Sequence, residues 1–316
     1  MKKTIAIILA CLMTFTMLAA CSDTDAPAGN DQNQGNNTAG NNNTAGNNNS
    51  STTNDPAPPA NNFDADRIIA IYTREDGSGT RDAFVSLTGV GDDMTPEAVV
   101  DNDTNQILTK VAENSYAIGY VSVGSLNESV KALQINGVTP SDATIMDGTY
   151  TLQRDLLVCV TAESAANELT ADFIAFMLSA EGQVNSAARW TVVDANAPAY
   201  SGGGMSGTLK VGGSTSVEPL MQRMRDAYIA LNPDVEIEIS GGGSGTGINQ
   251  ATEGMIDIGM SSRNLRDNEK ENLTPITIAL DGVAVIVNPA NPVTAMTIDQ
   301  VREIFTGETT RWNQLG

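Results

Sequence analysis

From residue 63 onward, short apolar runs alternate with stretches of helical period, and few folds accept that order. "RIIAIYT" (67–73), "YAIGYVSV" (116–123), "DLLVCVT" (155–161), "TLKVGG" (208–213), "VEIEIS" (235–240), "IDIGMSS" (256–262) and "GVAVIVN" (282–288) read as strands. Between and after them, "TRDAFVSLTG" (80–89), "DTNQILTKVAEN" (103–114), "ADFIAFMLSAEGQ" (171–183), "SVEPLMQRMRDAYIALNP" (216–233), "TGINQATEG" (246–254) and "TIDQVREIFTG" (297–307) read as helices. Such alternation calls for α/β layers with largely parallel sheets, whose ligand sites lie beyond the carboxyl ends of strands.

Three strand-to-helix loops fit that rule: "YTREDGSGTRDAF" (72–84), "VGGSTSVEP" (211–219) and "ISGGGSGTGI" (239–248). Glycines let backbone N–H groups converge, a helix N-terminus adds partial positive charge, and Ser or Thr hydroxyls donate further bonds. Each loop is therefore one wall of an oxyanion site. The first carries Arg74, whose guanidinium between a strand end and a Gly-rich turn suits an anion clamp. Ser78 and Thr80 suit helix caps whose hydroxyls face the same cavity, Ser244 suits both roles, and Thr246 suits a cap. Arg81 reads as an outer or lobe-bridging charge, and Arg263 reads equally as structural or functional.

Composition narrows the chemistry. The chain carries a formal net charge of −21 and no histidine. A surface this acidic repels a phosphate backbone, so nucleic acid is not an expected partner. Without histidine, hydrolysis by an activated Ser or Cys lacks its usual base, so an enzyme is not expected, and no grouped carboxylates have metal-ligand spacing. No cofactor and no metal are expected.

The first residues read as targeting rather than fold. "MKKTIAIILACLMTFTMLAAC" has two lysines, a short apolar run and small residues before a cysteine, the layout of an export signal over 1–20. Leu18-Ala19-Ala20-Cys21 resembles the bacterial lipobox, which implies lipid on Cys21 and an anchor on the extracytoplasmic face of the cell membrane. Residues 21–62 are nearly all Asn, Gly, Thr, Ala, Ser, Asp and Pro, too polar to offset their ordering entropy, and read as a disordered tether. Cys159 then stands alone inside "LLVCV" as a core thiol, and Trp190 and Trp312 read as packing residues.

Taken together, "GGSTSVEPL", "GGGSGTGI", "DIGMSSRNL", "DGVAVIVN", "TIDQVREIFTGETTRWNQLG" and "REDGSGTRDAF" resemble the phosphate-binding subunit of bacterial phosphate ABC transporters. The resemblance covers nearly all of 66–316 and implies a type II periplasmic-binding-protein fold, two α/β lobes joined by a hinge. In that family the "GSTSV" segment comes first, whereas here "REDGSGTR" precedes it, so the order looks circularly permuted, with 194–207 as a flexible join. By resemblance, 63–128 plus 291–316 form the lobe that supplies Arg74, Ser78, Gly79 and Thr80, and 129–290 form the lobe that supplies Thr215, Ser216, Ser244 and Ser262. The resemblance further implies inorganic phosphate as ligand, permease subunits as partners and a monomer. Some members carry an aspartate at the Ser262 position, which accepts the proton of hydrogen phosphate; Asp76 and Asp281 are the candidates for that role here. The other function classes are a surface phosphatase and a non-transport sensor or adhesion module using the same pocket.

Overall fold

The structure is a computed structural model that describes residues 62–315, all within one compact unit. The signal segment 1–20, Cys21 and the tether through 61 lie outside the described residues. In chain order, β1 (Ala70–Arg74), α1 (Gly79–Thr88), β2 (Val99–Asp101), α2 (Thr104–Glu113), β3 (Ala117–Ser122), β4 (Lys131–Ala132), β5 (Gln134–Ile135) and α3 (Asp142–Met146) come first. Next follow β6 (Gln153–Val160), α4 (Ala162–Ala165), α5 (Glu168–Met177), α6 (Ala180–Ser186), β7 (Ser206–Gly213), α7 (Glu218–Leu231), β8 (Asp234–Gly241), α8 (Ser244–Thr252), β9 (Ile258–Ser261) and α9 (Asp267–Lys270). β10 (Thr274–Val287), β11 (Ala295–Met296) and α10 (Ile298–Thr306) complete the chain.

A 9-stranded sheet runs β2-β1-β3-β10-β6-β9-β7-β8, with β4 paired to the far end of β10. β10 makes this one sheet, because its 14 residues serve both lobes. Its first part pairs antiparallel with β6, and its last residues, Val283–Val287, pair with β3. Each half repeats one pattern. β1 lies parallel between β2 and β3, and β7 lies parallel between β8 and β9. The antiparallel neighbour is β10 in the first half and β6 in the second.

The cores mark where the lobes divide. One combines Ile71, Phe84, Tyr120, Leu133, Tyr150 and Leu152 with Val283, Val285 and Phe305. The other combines Leu156, Val158, Phe173, Phe176, Trp190, Val211, Met221, Tyr228 and Ile278. The chain therefore crosses between lobes at Leu152–Gln153 and at Asp281–Gly282, not at the expected 128 and 290. Residues 130–152 belong to the first lobe because Val130, Leu133, Ile135 and Tyr150 bury their side chains there. Each such burial contributes roughly 1.5–3 kcal/mol.

Within 194–207, expected as a flexible join, Pro198 and Tyr200 are fastened to the second lobe. Pro198 accepts from Ala180 N–H at 2.8 Å, and Tyr200 N–H donates to Glu181 Oε2 at 2.7 Å. The Tyr200 hydroxyl shares Asp172 Oδ2 with Tyr228, and its ring meets Phe176 edge-on at 5.3 Å. At the other end of the molecule, residues near 65 lie beside residues near 312. Asn313 N–H donates to the Ala65 carbonyl at 2.8 Å, and Ile68 bridges Arg311. Cys159, Trp190 and Trp312 are buried, and burial pushes the Cys159 thiol up to about 12.

Candidate functional site

β1 ends at Arg74, the chain turns through Glu75–Ser78, and α1 starts at Gly79. Ser78 N–H closes that turn on the Glu75 carbonyl at 3.1 Å, and Ser78 Oγ caps the helix by accepting Arg81 N–H at 3.3 Å. Tyr120 supports the loop from beneath: its hydroxyl meets Thr73 Oγ1 at 2.7 Å and accepts Arg74 N–H at 3.2 Å, while its ring stacks on Phe84 at 3.9 Å. Burial raises the Tyr120 pKa, so it stays a neutral donor and acceptor.

The facing lobe brings two helix starts. The Ser214 hydroxyl accepts from Ser216 N–H at 3.3 Å ahead of α7. Gly243, at a φ of 87° that favours glycine, opens α8, and Ser244 is the first residue of that helix. Ser244 Oγ accepts Ser262 N–H at 3.1 Å and meets Ser262 Oγ at 3.4 Å, while Ser214 Oγ donates to Ser262 Oγ at 3.0 Å.

The two sets of hydroxyls touch across the lobes. Thr80 Oγ1 meets Ser216 Oγ at 2.7 Å, and Thr104 Oγ1 meets Thr215 Oγ1 at 3.1 Å and Ser216 Oγ at 3.4 Å. Gly79 lies against the other arm of this cluster: a Cβ there would overlap Ser244 Oγ and lie 2.7 Å from Ser262 Oγ. Arg74, Ser78, Gly79, Thr80, Thr215, Ser216, Ser244 and Ser262 are all buried, so one desolvated polar cluster gathers residues from both lobes. The first N–H groups of α1, α7 and α8 have no intrahelical partners, and the same helix ends carry partial positive charge. The arrangement suits a small anion surrounded by donors.

Arg74 stands at one side of this cluster, 2% exposed. Its Nε donates to Glu75 Oε2 at 2.8 Å, Nη2 to Glu75 Oε1 at 2.9 Å and to the Asn102 carbonyl at 3.2 Å, and Nη1 to Thr104 Oγ1 at 3.1 Å. A guanidinium has five N–H donors. These bonds leave one Nη1 proton for an incoming acceptor, so of the guanidinium that the sequence offers as an anion clamp a single donor remains, its charge paired with Glu75. Thr104 and Ser214 were missed in the sequence. Thr104 follows the same strand-end, helix-start pattern in "DNDT", and Ser214 sits inside the quoted "GGSTS".

Neither candidate proton acceptor has the expected partner. Asp76 is exposed and pairs with Arg81 of its own loop, so Arg81 does not bridge the lobes. Asp281 is buried but engaged by Arg154 at 3.0 Å. Thr246 is exposed and does not cap α8, since Gly243 takes that position. At the rim, Asp82 of α1 reaches across to Arg263 at 2.9 Å and Arg266 at 3.1 Å. Arg263 is held on its other side by Glu269 at 2.7 Å, a pairing that lowers the Glu269 pKa and raises that of Arg263.

Two α/β lobes that share a sheet through crossing strands, with strand-end loops converging between them, define a two-lobed solute-binding protein. Residues 47–181 and 198–316 match the family model described as a PBP superfamily domain. The chain is 39% identical over 265 residues to phosphate-binding protein PstS 2 of Streptococcus pneumoniae, covering 81% of this chain and 90% of that protein. Phosphate-binding protein PstS of Bacillus subtilis is 35% identical over 114 residues, covering 35% of this chain and 38% of its own length. A crystal structure of a phosphate ABC transporter, phosphate-binding protein from Streptococcus pneumoniae superposes with a TM-score of 0.66 at 39% identity, over 79% of this chain and 100% of that one. The chain belongs to the PBP superfamily and, within it, to the family of PstS phosphate-binding proteins.

Proposed function

We propose that this chain captures inorganic phosphate between its lobes and delivers it to the permease of an ABC transporter, as a monomer held at the extracytoplasmic face of the membrane through lipid on Cys21. The observation that carries the reading is the buried cluster of Thr80, Thr104, Thr215, Ser216, Ser244 and Ser262 between helix starts of opposite lobes, with Arg74 beside it. Hydroxyls donate to any tetrahedral oxyanion and also accept the proton of hydrogen phosphate. The printed names of the relatives agree with this ligand class. The net charge of −21 does not oppose capture, because oriented dipoles act at a few Å, while surface carboxylates beyond about 8–10 Å are screened by salt. A phosphatase reading has nothing in its favour here: the partners of these hydroxyls are one another, backbone groups and Arg74, with no basic residue set to activate one.

Calorimetric titration with phosphate, arsenate, sulfate and molybdate tests the ligand. Phosphate binding tighter than sulfate supports the reading, and sulfate binding as tightly as phosphate contradicts it. Fractionation of cells carrying Cys21→Ser tests the anchor, since retention of that variant in the membrane pellet would contradict a lipid on Cys21.

The permuted order is part of the same proposal. It is supported by the contact of residues near 65 with residues near 312, which gives the family's usual connection a short path. A second support is the 114-residue alignment to the Bacillus subtilis relative, which stops short as a different segment order there would make it; the 265-residue alignment spans 90% of the streptococcal relative, so that protein shares the order found here.

A further inference from the structure

The two lobe crossings are joined to each other by a buried ion pair that also touches the site. Arg154 is the second residue of β6, at the first crossing, and Asp281 lies opposite it on β10 at the second. Arg154 Nε and Nη2 both donate to Asp281 Oδ2, at 3.1 and 3.0 Å. Both side chains are at least nine-tenths buried, so the pair is shielded from water and salt. Neither end of it stops there. The remaining nitrogen, Arg154 Nη1, donates to the Ser262 carbonyl at 3.2 Å. On the other side, Asp281 Oδ1 accepts the Gly124 N–H at 3.3 Å, from the 3-10 turn Val123–Ser125 of the first lobe.

We infer that Arg154 is a positioning residue: anchored by Asp281 at the crossings, it fixes the Ser262 peptide, and through it the Ser262 and Ser244 hydroxyls, at the angle that receives the anion. Ser262 N–H and Oγ are the groups that meet Ser244 and Ser214, so the residue whose carbonyl Arg154 holds also sets the floor of the cluster through its Cα. Gly282 keeps the second crossing close to the first lobe. A Cβ there would lie 2.9 Å from Val123 Cγ2 and 3.1 Å from Ile145 Cδ1, so β10 passes flush against the turn that Asp281 holds. Among the described residues the chain passes between the lobes at these two crossings, and Arg154 ties the site to them.

This inference rests on the phosphate-binding reading for its functional consequence, and its test separates the two. The full chain is compared as wild type, Arg154→Met, and Arg154→Met with Asp281→Leu, by inorganic phosphate titration, thermal unfolding and amide exchange. Arg154→Met leaves Asp281 buried without its partner and loses stability; the double variant replaces the pair by apolar groups and recovers most of it. Affinity follows a different rule. Both variants lack the donor to the Ser262 carbonyl, so phosphate binds about tenfold more weakly in both, the size expected for one hydrogen bond from a charged group. Exchange within 259–264 rises in both, while that of the β7 core is unchanged in the double variant. Affinity that recovers together with stability in the double variant, or unchanged exchange within 259–264, would overturn the inference. A wild-type chain that binds no phosphate would refute the functional reading instead, and the exchange comparison would still decide for or against the role of Arg154.

Discussion

In the loop at 77–80 the serine of Gly-Ser-Gly-Thr caps its helix, whereas in the loop at 243–246 the same serine lies inside it. The difference comes from the flanks. Glu75 accepts Ser78 N–H in a tight turn, so α1 starts after the serine and Ser78 Oγ is consumed by its own helix. Before the serine of the second copy stand Gly241, Gly242 and Gly243, and Gly242 and Gly243 take φ values of 153° and 87°. That backbone, open to glycine, starts α8 one residue earlier and frees Ser244 Oγ to reach Ser262. The threonines diverge in step: Thr80 is buried against Ser216, while Thr246 is exposed. Four shared letters nominate a helix start, and the preceding residues set its register.

The largest break in this comparison is expected at Arg74, which the second loop does not match. Arg74→Ala removes the guanidinium that holds Thr104 and leaves the partly exposed Glu75 without its partner. Phosphate affinity should fall by about 1.5–3 kcal/mol, the range for one hydrogen bond from a charged group. A loss under about threefold in the titration would remove Arg74 from the site.

The paired glycines give the sharpest contrast of like with like. Gly79→Ala drives a Cβ into Ser244 Oγ and against Ser262 Oγ, so the lobes are held apart. A loss of about 1–3 kcal/mol in phosphate affinity is expected from this overpacking. At Gly245 a Cβ meets only Gly77, at 3.4 Å, an ordinary contact. Gly245→Ala should stay within about 0.5 kcal/mol of wild type. Equal losses at the two positions would erase the distinction between the loops.

A smaller effect is expected at the mouth of the cleft. Burial, and then the charge of Asp103 from the opposite lobe, hold the Glu218 carboxyl above its ordinary value of 4.5. A carboxyl raised in the folded chain contributes stability that is fully present below 4.5 and is lost as pH rises through the folded value. At pH 7 Glu218→Gln also removes a negative charge near the helix start that receives the anion, so phosphate binding should tighten by about twofold, modest because the group is partly exposed, with the gain vanishing as the pH falls and the wild-type carboxyl takes up its proton. A gain that persists unchanged at low pH would show that charge at Glu218 is not its cause.

Much of this architecture was legible because periodicity reports burial. The strand at 235–240 and the helices at 103–114 and 297–307 carry patterns that only one face of a sheet or helix satisfies, while the strand within 116–123 is buried on both faces and is legible as a nearly continuous apolar run. The crossings were not legible. "LDGVAV" contains Asp-Gly, which reads as a turn, yet Asp281 and Gly282 lie within a continuous strand. Arg154 satisfies the aspartate and close packing requires the glycine, and both are tertiary facts that no local window contains. For the same reason the lobe boundaries were displaced, and "DANAPAY" read as a loose linker although Tyr200 fastens it to Asp172. Within the site, the hydroxyl loops were visible from composition. The partner of Arg74 was not, because the choice between Glu75 and Asp76 depends on which way each side chain leaves the turn.

The central claim is that both loops hold one and the same anion. The direct measurement is the stoichiometry and affinity of phosphate for wild type, Thr80→Ala, Ser244→Ala and the double variant, with one substitution drawn from each lobe. One phosphate per chain, weakened by each single change and with coupled losses in the double variant, is the expected result. Two phosphates per chain, or strictly additive losses with either lobe's variant leaving affinity unchanged, would contradict a shared site.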